Sequence, residues 1–285
     1  MSEQIESIKQ LGILAGNRNL PFVVVEQARK AGVEKIVAVG FVGETDPALA
    51  NLVDDFVWIK VGQLNKMIRA LTDRGIRQCV MAGQIAPSNL YQVRPDLRGI
   101  MTLMRLKKRN AHTIFGAIGE ELAKDGVTLI SAVPWLTPVM PGENFHAGAK
   151  VSSQTRDDAL YGFEIAKAIS KLEIGQTVVV KEGTTLAVEG WEGTDACIAR
   201  GAELSGGKGA VVVKVARLNH DMRFDIPCVG LKTIENCRGK GICAVAFEAH
   251  KTLLLDQPDV CALAKKLGIS LMSLSEADLR KTPEN

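Results

Sequence analysis

An apolar run, Leu11 to Ala15, is closed by Gly16-Asn17-Arg18-Asn19-Leu20-Pro21, followed by a helical pattern from Phe22 to Ala31 and a second apolar run, Ile36 to Val39, that ends at Gly40. Strand, glycine turn, helix, strand is a β-α-β unit, and a crossover through a helix returns the second strand parallel to the first. The alternation continues with strands at Phe56–Lys60 and Cys79–Ala82, a helix at Leu64–Arg74, a largely helical stretch at Ile100–Lys124 and a strand at Val127–Ser131. These residues are therefore expected to form an α/β, Rossmann-like domain around a parallel sheet. Ligands of such sheets gather beyond the C-terminal strand ends, where Gly16, Asn17, Gly83 and Gln84 would lie. The first turn lacks the G-x-G-x-x-G spacing of a dinucleotide site, which counts against a nicotinamide cofactor. Both a looser nucleotide or phosphate contact and a plain tight turn fit it.

At 285 residues, 46% of them hydrophobic, the chain can fill two ordinary cores. Pro134, Pro138, Pro141, Gly142 and Gly148 fall in a stretch without steady period, the composition of a linker. The expected division is a first, Rossmann-like domain over 1–133, a linker over 134–150 and a second α/β domain over 151–285. A net charge of +3, with no arginine-aromatic run, argues against a nucleic-acid partner. The polar start, Met1 to Gln10, and the lack of eighteen consecutive apolar residues point to a cytoplasmic protein. The six cysteines include no C-x-x-C and read as small core residues. Arg105, Lys107, Lys108 and Arg109 adjoin Met101, Leu103, Met104 and Leu106. They fit either a solvated helix face or a contact of these cations with an anionic ligand or with headgroups of a membrane surface, the apolar side lying next to acyl chains.

The C-terminal half opens with a helix near Thr155–Leu172. Thr177 to Asp195 then sets Lys181, Glu182, Glu189, Glu192, Thr194 and Asp195 around strands at Val178–Val180 and Leu186–Val188, with Thr194 or Asp195 capping a helix from Ala196. Solvated acids on a hairpin and a phosphate or metal site both fit that pattern. Ser205-Gly-Gly-Lys-Gly209 fails the P-loop spacing. A strand from Ala210 carries Lys214 and leads into Arg217–Pro227, which holds His220, Asp221, Arg223 and Asp225. Pro227 biases Ile226 to extended backbone, so Asp225 is expected in a defined loop, either holding a cation or water or paired with Arg223 or Arg217. Lys232 and Lys251 follow a glycine and a strand end, from which each could reach a phosphate. The final residues, Ser275 to Asn285, read as a frayed end.

Taken in order, Val178-Val-Val-Lys-Glu-Gly183, Leu186-Ala-Val-Glu-Gly190, Glu192-Gly-Thr-Asp195, Arg223-Phe-Asp-Ile-Pro227, Gly230-x-Lys-Thr233 and Lys251-Thr-Leu-Leu-Leu-Asp256 resemble the UDP-2,3-diacylglucosamine pyrophosphatases of lipid A biosynthesis, in the family that is not calcineurin-like. The resemblance extends to Gly16–Pro21 and Ala82-Gly83-Gln84. It implies a two-domain α/β protein that binds Mg²⁺, with its site between domains, and cleaves a lipid-linked nucleotide sugar to UMP and 2,3-diacylglucosamine 1-phosphate. It makes Asp225 the catalytic residue and Glu189, Glu192 and Asp195 the accompanying acids. Trp191 departs from the family's smaller aliphatic residue, which implies an altered pocket wall. The residue types suit the reaction: Asp225, Glu189, Glu192 and Asp195 would hold Mg²⁺ or water, and Lys181, Lys214, Lys232 and Lys251 would hold the pyrophosphate. Glu182, Thr194 and Arg223 complete the expected substrate-binding set. The rival readings are a non-catalytic nucleotide-sugar or lipid sensor and a Rossmann-type nucleotide-sugar enzyme. A homodimer is the commonest assembly for such a protein.

Overall fold

The first sheet is built from β1 (Gln10–Ala15), β2 (Lys35–Phe41), β3 (Asp55–Ile59), β4 (Gln78–Ala82) and β5 (Thr128–Leu129). In the computed structural model, which describes residues 8–85, 95–107, 111–217, 221–224 and 226–280, the order is β3-β2-β1-β4-β5 and every pairing is parallel. The parallel sheet expected from the alternation is present. Every residue of β1 from Leu11 onward is buried, as a strand covered on both faces requires. One cover is α1 (Leu20–Lys30), which buries Pro21, Val24, Val25 and Ala28 and starts with proline in its first turn. On the opposite face, α2 (Leu64–Thr72) supplies Leu64, Met67, Ile68 and Leu71 to a core that includes Leu14, Val37, Val39 and Cys79.

The helix expected over Ile100–Lys124 is two helices, α3 (Leu97–Arg105) and α4 (Ala111–Lys124), because Leu106 turns to extended backbone (φ −80°, ψ 121°). Asp96 caps α3 by accepting from the Gly99 N–H at 2.9 Å. Arg98 clamps the two helices together, donating to Glu121 at 2.8 Å and pairing with Asp125. Lys124 and then Arg98 hold the carboxyl of Glu121, only 6% exposed, below the usual carboxylate range. A depressed carboxylate contributes stability that is present above its unfolded value, near 4.5, and is lost as pH falls through the lower folded value. Glu121→Gln is expected to cost about 1–3 kcal/mol at neutral pH and much less in acid. Denaturant melts of both proteins at pH 7 and pH 3 check this, and an equal loss at both pH values would count against it.

The second unit begins within the 3₁₀ turn Thr137–Val139 that follows α5 (Val133–Leu136). The chain divides into Met1–Thr137 with Asp221–Asp225, and Pro138–His220 with Ile226–Asn285. Its strands are β6 (His146–Gly148), β7 (Thr177–Lys181), β8 (Thr184–Val188), β9 (Ala210–Lys214), β10 (Cys228–Val229), β11 (Ile242–Glu248), β12 (Leu253–Leu254) and β13 (Ser270–Leu274). Six of them form a mixed sheet, β6-β13-β11-β9-β7-β8, in which β9, β11 and β13 are parallel and β6 and β7 antiparallel to their neighbours. β10 and β12 pair separately.

Helix α6 (Ser153–Lys171) covers one face with Ala159, Phe163 and Ala166 against Val178, Val180, Val211 and Val213. A Cβ on Gly162 would come within 2.6 Å of Val213, so glycine lets this helix lie directly on the sheet. The other face is covered by α7 (Thr194–Leu204), α8 (Leu231–Cys237) and α9 (Gln257–Leu267), which place Ile198, Ile234 and Val260 over Val179, Val212, Val245 and Leu271. Alternate residues of each strand thus feed two cores.

Two local expectations change. Helix α7 starts at Thr194 with Gly193 (φ 82°) as its cap, because Thr194 turns its hydroxyl to Glu189 and is not free to cap. The stretch after Ser275 holds a helical turn, α10 (Glu276–Leu279), closed by a reciprocal Ser275–Asp278 capping box. Three of the six cysteines are core residues, with burial pushing the thiols of Cys79, Cys197 and Cys237 up to about 12, and Cys228, Cys243 and Cys261 are half-buried.

Candidate functional site

In the first unit the strand order reverses beside β1, since β2 lies on one side of it and β4 on the other. The crevice beyond the C-terminal ends of β1 and β4 is where such sheets receive ligands. Gly16-Asn17 and Gly83-Gln84 both stand there, as the sequence suggests, and they are joined. The Gly16 N–H donates to the Ala82 carbonyl at 2.8 Å and the Asn17 N–H to the Gln84 carbonyl at 2.7 Å. A Cβ on Gly16 would lie 2.4 Å from the Gln84 oxygen, and one on Gly83 (φ 90°) would lie 2.5 Å from the Asn17 oxygen. These glycines let two loops touch, and the two N–H groups are not open to a phosphate. The polar group this junction presents is the Asn17 side chain, whose Nδ2 donates to Glu44 at 2.6 Å and whose Oδ1 is buried without a hydrogen-bond partner among the described residues. Next to it Arg18 is exposed and held at φ 67°.

In the second unit the charged groups gather at the end of the sheet where β9, β11 and β13 finish. Lys214, the last residue of β9, is 9% exposed, and among the described residues its ammonium has one hydrogen-bond acceptor, the Cys228 carbonyl at 3.2 Å. A buried cation beside a single neutral acceptor is suited to receive an anion. Across the register from Lys214 stands Thr177, the first residue of β7. Beside Thr177, Glu189 is buried, with its carboxylate accepting from the Thr194 hydroxyl at 2.8 Å and the Gln176 N–H at 3.3 Å. Glu248 ends β11 and is 3% exposed; it accepts from Lys167 at 3.0 Å, Lys251 at 2.8 Å and the Ala216 N–H at 2.9 Å. Lys232 pairs with Asp195 at 3.0 Å, both well exposed.

The expected substrate set is therefore split. Thr194, Lys214, Lys232 and Lys251 share this end of the sheet. Lys181 and Glu182 stand at the opposite end, where β7 turns into β8. Lys181 donates to the Ser205 carbonyl at 2.9 Å at the C-terminus of α7. Glu182 (φ 49°) and Gly183 (φ 67°) form the two-residue hairpin turn, and Asp158 accepts from both of their N–H groups. Trp191 is 98% exposed.

A resident divalent cation needs several oxygens converging on one point. Glu189 spends its oxygens on Thr194 and Gln176, and Asp195 turns to Lys232. Glu192 accepts from the Gly190 N–H at 3.0 Å and pairs with Arg200 at 2.5 Å; its own N–H and then Arg200 hold its carboxyl low. Among the described residues no three His, Cys, Asp or Glu side chains are grouped to hold a metal. Glu189, Glu192 and Asp195 therefore do not converge on one point as a cation cage among the described residues.

Asp225 lies outside the described residues, as do His220, Lys108 and Arg109. Its neighbours are informative. Asp221–Phe224 belongs to the first unit, an excursion that no linear division of the chain contains. The Phe224 ring packs 5.6 Å from Phe115 and onto the core beneath α2, and the Met222 carbonyl accepts from the Ser131 hydroxyl at 2.9 Å. Arg223 grips Asp221 through two nitrogens at 2.8 and 2.6 Å. From Ile226 the chain belongs to the second unit, where Cys228 opens β10. The residue types that sequence reasoning passed over are Lys167 and Glu248. A glutamate at the end of the otherwise apolar strand Ile-Cys-Ala-Val-Ala-Phe was the available signal.

Fold and charge placement define a two-unit α/β protein with polar groups gathered beyond the C-terminal strand ends of both units. Residues 10–138 match the model of the LpxI N-terminal domain and residues 142–272 that of the LpxI C-terminal domain, so the chain belongs to the LpxI family. It is 26% identical over 277 residues to UDP-2,3-diacylglucosamine pyrophosphatase LpxI of Caulobacter vibrioides, covering 94% of this chain and 98% of that protein. Among solved structures, the biotin carboxylase domain of Hydrogenobacter thermophilus 2-oxoglutarate carboxylase is 14% identical with a TM-score of 0.25, covering 62% of this chain and 35% of that one. That likeness carries no argument about fold or function.

Proposed function

We propose that this chain is a hydrolase that cleaves the pyrophosphate bond of UDP-2,3-diacylglucosamine, giving UMP and 2,3-diacylglucosamine 1-phosphate in lipid A biosynthesis. The observation that carries this reading is the match to a pyrophosphatase of that name along 98% of its length, with both family domains present in order. The charge distribution agrees with it. Lys214, Lys232 and Lys251 stand at one strand end, where they would hold phosphate oxygens, and the buried Lys214 would be the strongest of them. Asp225 would orient the attacking water. Glu189 and Thr194 would act through each other to fix the start of α7.

A Mg²⁺ requirement belongs to the proposal on the strength of the family resemblance. Magnesium commonly takes most of its ligands from substrate phosphates and water, so such a requirement is compatible with the lack of a protein cage among the described residues. Homodimerisation and contact with a membrane surface are proposed with it.

The test is incubation of the purified chain with UDP-2,3-diacylglucosamine labelled in both phosphates. UMP and the lipid 1-phosphate are expected in equal amounts with Mg²⁺, and neither after exhaustive chelation. Unchanged substrate bound to the protein would identify a sensor, and a nucleotide product with an altered sugar would identify a nucleotide-sugar enzyme. Turnover that survived chelation would remove the metal from the reading.

A further inference from the structure

Helix α3 is amphipathic in the reverse sense. Its inward positions are Gly99 and Thr102, both buried, and its Arg98 is spent on Glu121 and Asp125. Gly99 comes so close to the Gly62 carbonyl that a Cβ there would stand 2.8 Å away. Facing solvent instead are Leu97 and Met104, each 74% exposed, with Ile100 and Met101, 42% and 48% exposed. At about 100° of rotation per residue these four fall within an arc of roughly 100°, a continuous apolar stripe. A helix that turns its glycine and threonine to its own core and its leucine, isoleucine and methionines outward has its apolar partner outside that core. Arg105 and Lys107 are exposed at the C-terminal end of the stripe, and the Arg105 guanidinium is 3.5 Å from Glu121.

We infer that the outward face of α3 docks on the surface of an anionic lipid bilayer, with the four apolar side chains entering the headgroup boundary and Arg105 and Lys107 meeting lipid phosphates. The apolar stripe with a basic flank suits the acyl boundary and charge of such a surface, and α3 has only nine residues, so it lies on the membrane and does not span it. No helix among the described residues is long and apolar enough to cross a membrane. The choice of a bilayer over other occupants rests on the lipid substrate proposed above. Vesicle binding is measured without that substrate, so either idea can fail alone.

The experiment is flotation of the full-length chain with vesicles of phosphatidylglycerol and phosphatidylethanolamine, and with phosphatidylcholine alone. Binding is expected on the anionic vesicles only. Leu97→Gln with Met104→Gln should lower the partition coefficient at least about tenfold without lowering the melting temperature. Arg105→Gln and Lys107→Gln should each lower it roughly fivefold at low salt and less at high salt. Absence of binding by the wild-type chain, or equal binding by the double variant, overturns the proposal. So does a wild-type dimer that the double variant dissociates in sedimentation equilibrium, because a second copy would then cover the stripe. A parallel loss of turnover on detergent-dispersed substrate would assign the stripe to the substrate site and overturn it as well.

Discussion

Asp225→Asn should lower kcat by about 10²–10⁴-fold while leaving substrate affinity within a few-fold of wild type. The expectation rests on the Arg-Phe-Asp-Ile-Pro motif and its family resemblance; Asp225 itself lies outside the described residues, and what is described is its neighbours. On the N-terminal side Phe224 is packed against Phe115, and Arg223 is locked to Asp221 by its own guanidinium. On the C-terminal side the Cys228 carbonyl accepts from the buried Lys214. The amide is isosteric, so the variant should fold, and circular dichroism and calorimetric titration with substrate under chelation would verify both points. A folded variant with near wild-type turnover would remove Asp225 from the chemistry.

Glu248→Ala should destabilise the second unit by about 3–5 kcal/mol, with a fall in Tm on the order of 10 °C. Glu248 is the acceptor at which three elements meet: Lys167 reaches it from α6, Lys251 from beyond β11, and the Ala216 N–H from the end of β9. Its removal leaves two ammonium groups facing each other and a buried N–H unpaired, so repulsion adds to the lost bonds. Glu248→Gln keeps an acceptor for Ala216 but removes the charge, and should cost less. A calorimetric scan of both variants decides the matter, and a Tm unchanged in each would show the network to be incidental.

The fold was readable because its signals are local. A run such as Leu11–Ala15 followed by a glycine turn and a helical period needs no distant information to specify strand, crossover and parallel return. The break between α3 and α4 was missed because Arg-Leu-Lys-Lys-Arg has good helix propensity, and the extended turn at Leu106 comes from packing of each helix on its own neighbours. The site was less readable. Lys167 looks like any lysine on an amphipathic helix, and it stands 81 positions from Glu248, so only the topology reveals the pair. Lys181 and Lys214 look alike in sequence, each ending a run of three valines. The antiparallel turn of β7 against β9 sends them to opposite ends of the sheet. Gly16 and Gly83 carried a true signal of close approach, but the approaching group is the other loop's backbone and not a phosphate.

The packing of Asp221–Phe224 into the first unit also governs how the protein can be made. The N-terminal half, released from the ribosome or expressed alone, lacks the Phe224 ring from its core and the Met222 carbonyl that the Ser131 hydroxyl binds. That unit gains these two contacts only after most of the second has been synthesised, several seconds later at about 5–20 residues per second. The two units are successive along most of the chain, but the first is completed by residues that follow most of the second.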